Sequence, residues 1–242
     1  HELEARAEQW TQSVKGELEE RPEPGEEAPD ETMLDAAAQA AVRGADRQDG
    51  GWGRGPKFPQ TGRIHILLRA HERTGRDDYR DVAEEALDAM VDGGLYDHAG
   101  GGFHRYCTDR DWTVPHFEKM LYDNAEIPRA LLAGYQALGT ERYREVARET
   151  FAFVERELTH EDGGFFSTLD AQSEGEAGED EEGAFYVWTP AEVHDAVADE
   201  TNADLFCDRF GVTDAGNFEG ETVLTVAASI SDLADDYDVD ES

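Results

Sequence analysis

The sequence predicts a mainly α fold built of repeating helical hairpins, as in a helical array or toroid. One observation is that amphipathic segments, with apolar residues at helical spacing, alternate with glycine-rich stops. The other is a Gly-Gly-aromatic motif that recurs after helices, with 51 and 62 residues between its second glycines. Its three copies are Gly50-Gly51-Trp52, Gly101-Gly102-Phe103 and Gly163-Gly164-Phe165. Each interval holds about two helices, and a repeat of this length is typical of helical arrays and toroids.

The first two thirds of the chain are expected to be helical. Residues 2–20 have the composition of a polar helix, and residues 21–30 hold three prolines and a glycine among acids, which predicts a linker or long turn. Further helices are expected over residues 31–48, 62–74, 77–91, from Val114 or Pro115 onward, and 140–158.

The remaining third has a different texture. Residues 165–170 and 184–189 are short, aromatic and β-branched, which predicts the two strands of a β-hairpin. The glycine-rich acidic stretch between them is expected to be an exposed, mobile loop. Thr189 and Glu192 then form the pattern of a capping box, which predicts a helix start. Residues 231–242 are expected to be a frayed acidic tail.

The charge of the chain excludes some partners. It has 57 acids against 21 bases, a net charge of −36, and only three lysines. Nucleic acid and anionic membrane surfaces are excluded, because both need a basic footprint. The acids are spread along the whole chain, which favours adaptation to high salt over a local acidic functional surface. No run of apolar residues is long enough for a membrane helix, and no signal peptide is recognisable.

The cysteine pattern and the missing motifs bound the chemistry. Cys107 and Cys207 lie 100 positions apart, without a CxxC pair or a Cys/His cluster at zinc spacing. A disulfide framework is therefore excluded, and a cytoplasmic setting with no bound metal is expected. The sequence holds no phosphate loop, dinucleotide motif, GxSxG or HExxH, so no cofactor is expected.

The segment around His116 carries the most reactive set of side chains. On the helix expected from Val114 or Pro115, His116, Lys119 and Asp123 would share one polar strip beside the packed face. A histidine beside a carboxylate suits proton transfer, and a nearby lysine suits an anionic group. The alternative is a structural His–Asp hydrogen bond beside a surface ion pair.

Neighbouring segments favour a ligand site over that alternative. Residues 96–106 form a glycine-rich loop with two histidines, an arginine and two tyrosines, and Lys57 lies between Pro56 and Phe58-Pro59 in an extended segment. Glycine beside aromatic rings and His, Asp or Arg side chains is typical of pockets for sugar rings. The expected substrate-binding residues are Lys57, Asp97, His98, Arg105, Tyr106, Trp112, Glu118, Lys119, Tyr122 and Asn124.

Four stretches together resemble the spermatogenesis-associated, thioredoxin-domain-containing family. They are residues 50–59, 96–125, 169–189 and 216–226. The resemblance implies an (α/α) toroid of helical hairpins, like six-hairpin glycosidases and N-acylglucosamine 2-epimerases, incomplete here and with a small β-hairpin insertion. Residues 1–30 would follow a missing thioredoxin-like domain, and residues 31–230 would form the partial toroid. Cys107 and Pro128 depart from the family pattern, and Pro128 should kink its helix.

The same resemblance implies a function only by analogy. In the similar epimerases paired histidines act as acid and base, which makes His104 and His116 the candidates, with Asp123 orienting them. The expected function is binding or processing of a carbohydrate-like small molecule, as in an isomerase or a glycoside hydrolase. Two alternatives stay open: a non-catalytic module that presents a client to a thioredoxin-like domain, and an inactive remnant. Self-association through an exposed edge is also expected.

Overall fold

The computed structural model describes residues 6, 8, 10, 11, 30, 32–174, 179–237 and 239. Contacts divide the chain into residues 1–33 and residues 34–242. The expected polar helix and linker before residue 31 fall almost wholly outside the described residues. Among the described residues, no helix is long and apolar enough to cross a membrane.

Helices dominate the described residues. They are α1 (Thr32–Gly44), α2 (Thr61–Thr74), α3 (Asp77–Asp92), α4 (Asp123–Leu138), α5 (Glu141–Glu157), α6 (Pro190–Ala196), α7 (Glu200–Phe210) and α8 (Ile230–Tyr237). Short turns join α2 to α3 and α4 to α5, where Gly75 and Gly139 adopt φ of 69° and 79° and close the preceding helix. The long connections before α2, between α3 and α4, and after α5 therefore all lie at the other end of these hairpins. The prediction of helical hairpins is confirmed.

One apolar core unites α2 to α5, and α4 packs against both α2 and α5. The amphipathic stripe of α3 enters this core through Tyr79, Leu87 and Met90, which are fully buried. Gly134 lets α4 approach closely, because a Cβ atom there would lie 2.5 Å from Cδ1 of Leu87. Smaller clusters bury the apolar faces of α6 and α7 and the residues around Phe117.

The three Gly-Gly-aromatic motifs form related turns, of which the third is one residue shorter than the first two. In each, a backbone N–H at the start donates to the carbonyl of the glycine before the aromatic residue: Asp46 to Gly51, Asp97 to Gly102 and His160 to Gly164. Each aromatic residue then pairs back with the chain, in the bridges Ala45–Trp52, Tyr96–Phe103 and Thr159–Phe165. Trp52 and Phe103 are buried, whereas Phe165 is exposed. The predicted repeat is thus confirmed as a repeated turn.

A buried lysine closes the first two of these turns. Nζ of Lys57 lies 3.0 Å from Oδ2 of Asp46 and 2.6 Å from the Gly50 carbonyl oxygen. Nζ of Lys119 lies 2.6 Å from Oδ2 of Asp97 and 2.9 Å from the corresponding Gly101 oxygen. In the third turn His160 stands where the other turns have aspartate.

The expected β-hairpin between residues 165–170 and 184–189 is wrong in its pairing. The strands are β1 (Lys119–Met120), β2 (Thr168–Leu169), β3 (Gln172–Glu174), β4 (Asp180–Glu182), β5 (Val187–Trp188) and β6 (Thr222–Val223). They pair antiparallel as β1 with β2, β3 with β4 and β5 with β6. The acidic stretch expected to be a loop therefore supplies its own hairpin, β3–β4. The two strands that flank this hairpin, β2 and β5, pair instead with β1 and β6, which are distant in the sequence. Local strand propensity does not reveal such distant partners.

The helix expected from Val114 or Pro115 is also wrong, because α4 begins only at Asp123. Trp112 and Phe117 adopt φ of 63° and 35°, a left-handed region in which an α-helix does not continue. The segment instead pairs with residues 104–108. His116, Lys119 and Asp123 therefore do not form a polar strip on one helix. Pro128 lies inside α4, which continues past it to Leu138.

The C-terminal part of the chain holds the predicted capping box and the predicted acidic tail. The capping box at Thr189 is confirmed: its side chain accepts from the Glu192 N–H, and the Glu192 side chain accepts from the Thr189 N–H. Residues expected to fray after 230 are helical as far as Tyr237, since α8 buries Leu233.

Candidate functional site

Three segments of the long connections lie side by side at one end of the hairpins. Cys107 pairs with Lys57 on one side and with Pro115 on the other. These three side chains are buried, so the neighbouring residues Phe58, Tyr106 and His116 point outward. The His116 N–H donates to the Tyr106 carbonyl at 2.9 Å, which holds this register.

The outward-facing rings stack in a row, which we call the aromatic ladder: Phe58, Tyr106 and His116. The Phe58 and Tyr106 centroids are 4.7 Å apart with 24° between the planes, and those of Tyr106 and His116 are 5.0 Å apart with 26°. Such offset stacking is favourable between neighbouring strands. All three rings are partly exposed, so they offer a flat apolar surface to a ligand.

A polar group continues from the ladder. Nε of Arg105 donates to the Tyr122 hydroxyl at 3.1 Å, and Nη1 of Arg105 lies 3.3 Å from Oε2 of Glu118. The Thr168 hydroxyl, from β2, donates to the other oxygen of Glu118 at 3.3 Å. These contacts hold a guanidinium and a carboxylate in fixed positions beside the ladder.

Asp123 completes this set at the first position of α4. Its side chain is buried, and its Oδ2 atom has no hydrogen-bond partner. Burial raises the pKa of Asp123 from 3.8 to about 7, although the nearby charge of Arg105 opposes the rise. A carboxyl group that is half protonated near neutral pH is suited to general acid–base catalysis. We call the aromatic ladder with Arg105, Glu118, Tyr122 and Asp123 the aromatic–arginine face.

The β3–β4 hairpin reaches this face through one acid. Oε1 of Glu182 lies 2.9 Å from Nδ1 of His116, and both side chains are partly exposed. A depression of about 490 Å³ adjoins the contact, lined by Pro115, Phe117 and Phe218 among others. Glu182 therefore fixes one ring nitrogen of His116 and sets the orientation of the outermost ring of the ladder.

The remaining expected site residues lie inside the protein. Oδ1 of Asp97 accepts from the Ala99 and Gly100 N–H groups, while its Oδ2 pairs with Lys119. Burial would raise the pKa of Asp97, but Lys119 and these N–H groups together hold it below its usual value. Burial lowers the pKa of Lys119. This pair stabilises the second turn and is not open to a ligand.

Two expected site histidines are held neutral. Nδ1 of His104 lies 2.9 Å from the Phe117 carbonyl, and Nε2 of His98 lies 3.1 Å from that of Gly93. Since a carbonyl only accepts, each of these ring nitrogens carries the proton. Burial lowers the pKa of His104 to about 3 and that of His98 to about 4. Of the two histidines expected as acid and base, His104 is therefore buried and neutral, whereas His116 is partly exposed.

Three more expected binding residues serve the core. Lys57 closes the first turn. The fully buried Trp112 donates from Nε1 to the Gly50 carbonyl at 3.3 Å. Asn124 accepts from the Phe103 N–H at 2.6 Å and donates to the Phe103 and Met120 carbonyls at 2.9 Å each. These polar groups are satisfied within the protein, which is the usual role of buried polar side chains.

Comparison with known proteins gives the family. No family model matches the chain. Human spermatogenesis-associated protein 20 is 37% identical over 232 residues, covering 86% of this chain. The chain is a homologue of spermatogenesis-associated protein 20. The mouse protein of the same name is 36% identical over 229 residues. This chain spans 30% of the length of the human spermatogenesis-associated protein 20 and 29% of that of the mouse protein. An attached thioredoxin-like domain stays a prediction from the resemblance.

Solved structures identify the fold that this chain shares. A sugar epimerase from a ruminal bacterium superposes with a TM-score of 0.51 and 20% identity, over 73% of this chain and 55% of its own. Cellobiose 2-epimerase from Bacillus thermoamylovorans gives a TM-score of 0.51 at 14% identity, over 74% and 55%. The fold is therefore mainly α, a part of an (α/α) toroid of helical hairpins with small β-hairpins, as predicted.

Sequence reasoning missed two residues of the face in this homologue of spermatogenesis-associated protein 20. Phe58 was passed over for its neighbour Lys57, although strand alternation would have placed the two on opposite sides. Glu182 lies in the acidic stretch between β3 and β5, whose composition gives no sign that one acid contacts His116. Among the described residues, no group of three or more His, Cys, Asp or Glu side chains could hold a metal ion.

Proposed function

We propose that the aromatic–arginine face binds a carbohydrate-like small molecule and that Asp123 exchanges a proton with it. The observation that carries the proposal is the buried carboxyl of Asp123, whose Oδ2 atom has no hydrogen-bond partner and which lies close to the charge of Arg105. The ladder supplies a flat apolar surface for the face of a sugar ring. Arg105 and Glu118 supply a donor and an acceptor for its hydroxyl groups.

The fold supports this class of ligand. The sugar epimerase from a ruminal bacterium and the cellobiose 2-epimerase from Bacillus thermoamylovorans share it, and both are named as enzymes that act on sugars. Fold alone does not carry function. The side chains of the face therefore carry the proposal, and the shared fold only favours sugars among small polyhydroxylated molecules.

The carboxyl groups of Asp123 and Glu118 differ in their surroundings, which suits acid–base work. Asp123 is buried and keeps its proton up to about pH 7, whereas Glu118 is paired with Arg105 and accepts from Thr168. A carboxyl group that holds a proton beside a carboxylate held by arginine resembles the division of roles between acid and base. The reaction would be proton transfer at a sugar carbon or at a glycosidic oxygen. Glu182 and the ladder position the ligand.

Calorimetric titration with cellobiose, D-mannose and N-acetylglucosamine tests binding. We expect Phe58→Ala and Tyr106→Ala to weaken the tightest of these sugars about threefold to tenfold, since a ring–ring contact contributes about 0.5–1.5 kcal/mol. Phe151→Ala in α5 is the matched control, because Phe151 is 43% exposed and Phe58 is 44% exposed. Absence of heat with every sugar would contradict the proposal, as would equal weakening by the control.

Deuterium exchange tests the role of Asp123. The bound sugar is kept in heavy water, and exchange at its C2 position or release of a reducing end is followed by NMR. Asp123→Asn should keep sugar binding within about threefold and abolish the reaction, since an amide does not exchange the proton. A reaction that survives this substitution would remove Asp123 from the chemistry and leave a binding site.

A further inference from the structure

A second concave site lies between α2 and α4, apart from the aromatic–arginine face. The groove has a volume of about 620 Å³ and includes His65, Arg69 and His71 from α2 and Ala133 and Ala137 from α4. The alanines, four residues apart, share one side of α4 and leave room opposite the imidazoles. A groove of this volume suits a small molecule.

The groove and the aromatic–arginine face share no residue. Asp123 begins α4, and Ala133 follows ten residues later. At a rise of about 1.5 Å per residue the two positions are about 15 Å apart along the helix. The groove lies toward the C-terminal ends of α2 and α4, at the end of the hairpins opposite the face.

His65 lacks a partner in this groove. Its Nε2 atom is buried and has no hydrogen bond. Burial first, and then the charge of Arg129, lower the pKa of His65, which keeps the ring neutral at neutral pH. A neutral imidazole has one acceptor nitrogen and one donor nitrogen. A buried polar atom without a partner is costly, so a ligand that pairs with Nε2 would be favoured.

His71 and Arg69 define what the ligand should offer. Nδ1 of His71 lies 2.8 Å from the Arg76 carbonyl and therefore carries a proton, which leaves Nε2 as the ring nitrogen that can meet a ligand. One nitrogen of Arg69 pairs with Glu72 at 2.7 Å, and its other N–H groups have no described partner. The histidines thus suit hydroxyl donors, and Arg69 suits a carboxylate.

The charge of the groove stands out from that of the chain. The whole sequence has 57 acids against 21 bases, yet the groove has one acid, Glu72, against an arginine and two histidines. Its lining residues include no Phe, Tyr or Trp, so it lacks the stacking surface that distinguishes the aromatic–arginine face. We propose that the groove between α2 and α4 binds a small hydroxycarboxylate.

NMR of the histidine side chains, with L-malate as probe and succinate as its counterpart without the hydroxyl group, tests this site. We expect malate to shift the His65 and His71 resonances saturably, at least fivefold more tightly than succinate, and to leave those of His160 and His194 unmoved. Equal affinity for both acids would overturn the hydroxycarboxylate assignment. Parallel, non-saturable shifts of all histidines, or none at His65, would overturn the site itself.

Two variants locate the binding. Arg69→Gln should weaken malate at least fivefold, whereas Arg144→Gln should leave it unchanged. Arg144 is a matched control, since it pairs with Glu141 at 2.7 Å across one turn of α5, as Arg69 pairs with Glu72 in α2. Equal weakening by both variants would show a general effect of charge and would overturn the proposal. The wild-type titration stands by itself if a variant fails to fold.

Discussion

Lys119 donates a 2.6 Å hydrogen bond to Asp97 from a side chain that is 1% exposed. The contact joins β1 to the second Gly-Gly-aromatic turn. A buried charge is tolerated only when it is paired and its other hydrogen bonds are made. Here the Gly101 carbonyl and the Ala99 and Gly100 N–H groups complete both ends of the pair.

Removal of the lysine should therefore be costly. We expect Lys119→Met to lower the free energy of unfolding by about 3–5 kcal/mol, because Asp97 is left buried and unpaired. Urea unfolding followed by circular dichroism measures the loss. The double variant with Asp97→Asn should recover part of it, and Arg80→Met, at a surface pair with Asp81, should cost less than about 1 kcal/mol. A loss from Lys119→Met no larger than the control would contradict a structural role for the pair.

Two glycines with the same φ allow the cost of backbone strain to be measured apart from the cost of overpacking. Gly102 and Gly139 both adopt φ of 79°, but a Cβ atom at Gly102 would lie 2.4 Å from Cδ1 of Phe153, whereas one at Gly139 has no neighbour within 4 Å. Gly139→Ala should cost about 1–2 kcal/mol from the left-handed backbone alone. Gly102→Ala should cost a further 1–3 kcal/mol from overpacking. Equal losses in chemical denaturation would show that the Phe153 contact relaxes freely.

The buried Asp123 predicts a pH dependence of definite sign. Its pKa is about 7 in the folded chain against 3.8 as the reference value, so between these pH values the folded state binds more protons. The free energy of unfolding should then fall as pH rises from about 4 to 7. We expect the free energy of unfolding to fall by about 2–4 kcal/mol over this range, at about 1.4 kcal/mol per unit of pKa difference. The N-terminus of α4 favours the ionised carboxylate and therefore makes this fall smaller.

The difference between wild type and Asp123→Asn isolates this effect. It is needed because the lowered pKa values of His98 and His104 act in the opposite direction: the unfolded chain takes up their protons below about pH 6.5, so stability rises with pH there. Asp77→Asn is the control for substitution at a helix start, as Asp77 begins α3 and is exposed. A wild-type minus Asp123→Asn difference that does not change with pH would refute the raised pKa.

The net charge of −36 predicts stabilisation by salt. Counterions screen the repulsion among the acids, whose range falls from about 10 Å at 0.1 M salt to about 3 Å at 1 M. The unfolding temperature should rise by several degrees between dilute buffer and molar potassium chloride. Sucrose serves as an uncharged control for solute exclusion. Equal stability in dilute buffer and in molar salt would argue against adaptation to salt.

The elements that sequence reasoning located are those that carry their own signals. The bounds of α2, α3 and α5 agree with prediction within one or two residues, because each is an amphipathic helix with a polar start and a defined stop. The capping box at Thr189 is a local device and was equally visible. The repeated turns were recognisable since glycine is required where φ is positive.

The elements that sequence reasoning misplaced depend on partners that are distant in the sequence. Strands of two residues, such as β1 and β2, exist only because Lys119 and Met120 meet Leu169 and Thr168. Trp112 and Phe117 both adopt positive φ and both are buried, and neither residue type signals such a backbone angle. Periodicity alone made the same residues look like the first turns of α4.

Only some of the expected site residues contact one another, for a physical reason. Arg105 contacts Glu118 and Tyr122, and Tyr106 stacks on His116. Histidine, lysine and asparagine occur both in ligand sites and in protein interiors where all their hydrogen bonds are made. Lys119, His104 and Asn124 therefore looked like site residues in the sequence, although they stabilise the core. Phe58 and Glu182 joined the face through pairings across the chain, which neither spacing nor composition contains.

The two buried lysines of the Gly-Gly-aromatic turns make chemical labelling of amines a probe of local unfolding. Lys57 and Lys119 are two of the three lysines in the sequence, and both ammonium groups are enclosed and hydrogen-bonded. Acetylating reagents should therefore label them only when the chain opens. Mass spectrometry of acetylation at these two positions would time the opening of each turn separately, using labels that the protein already carries.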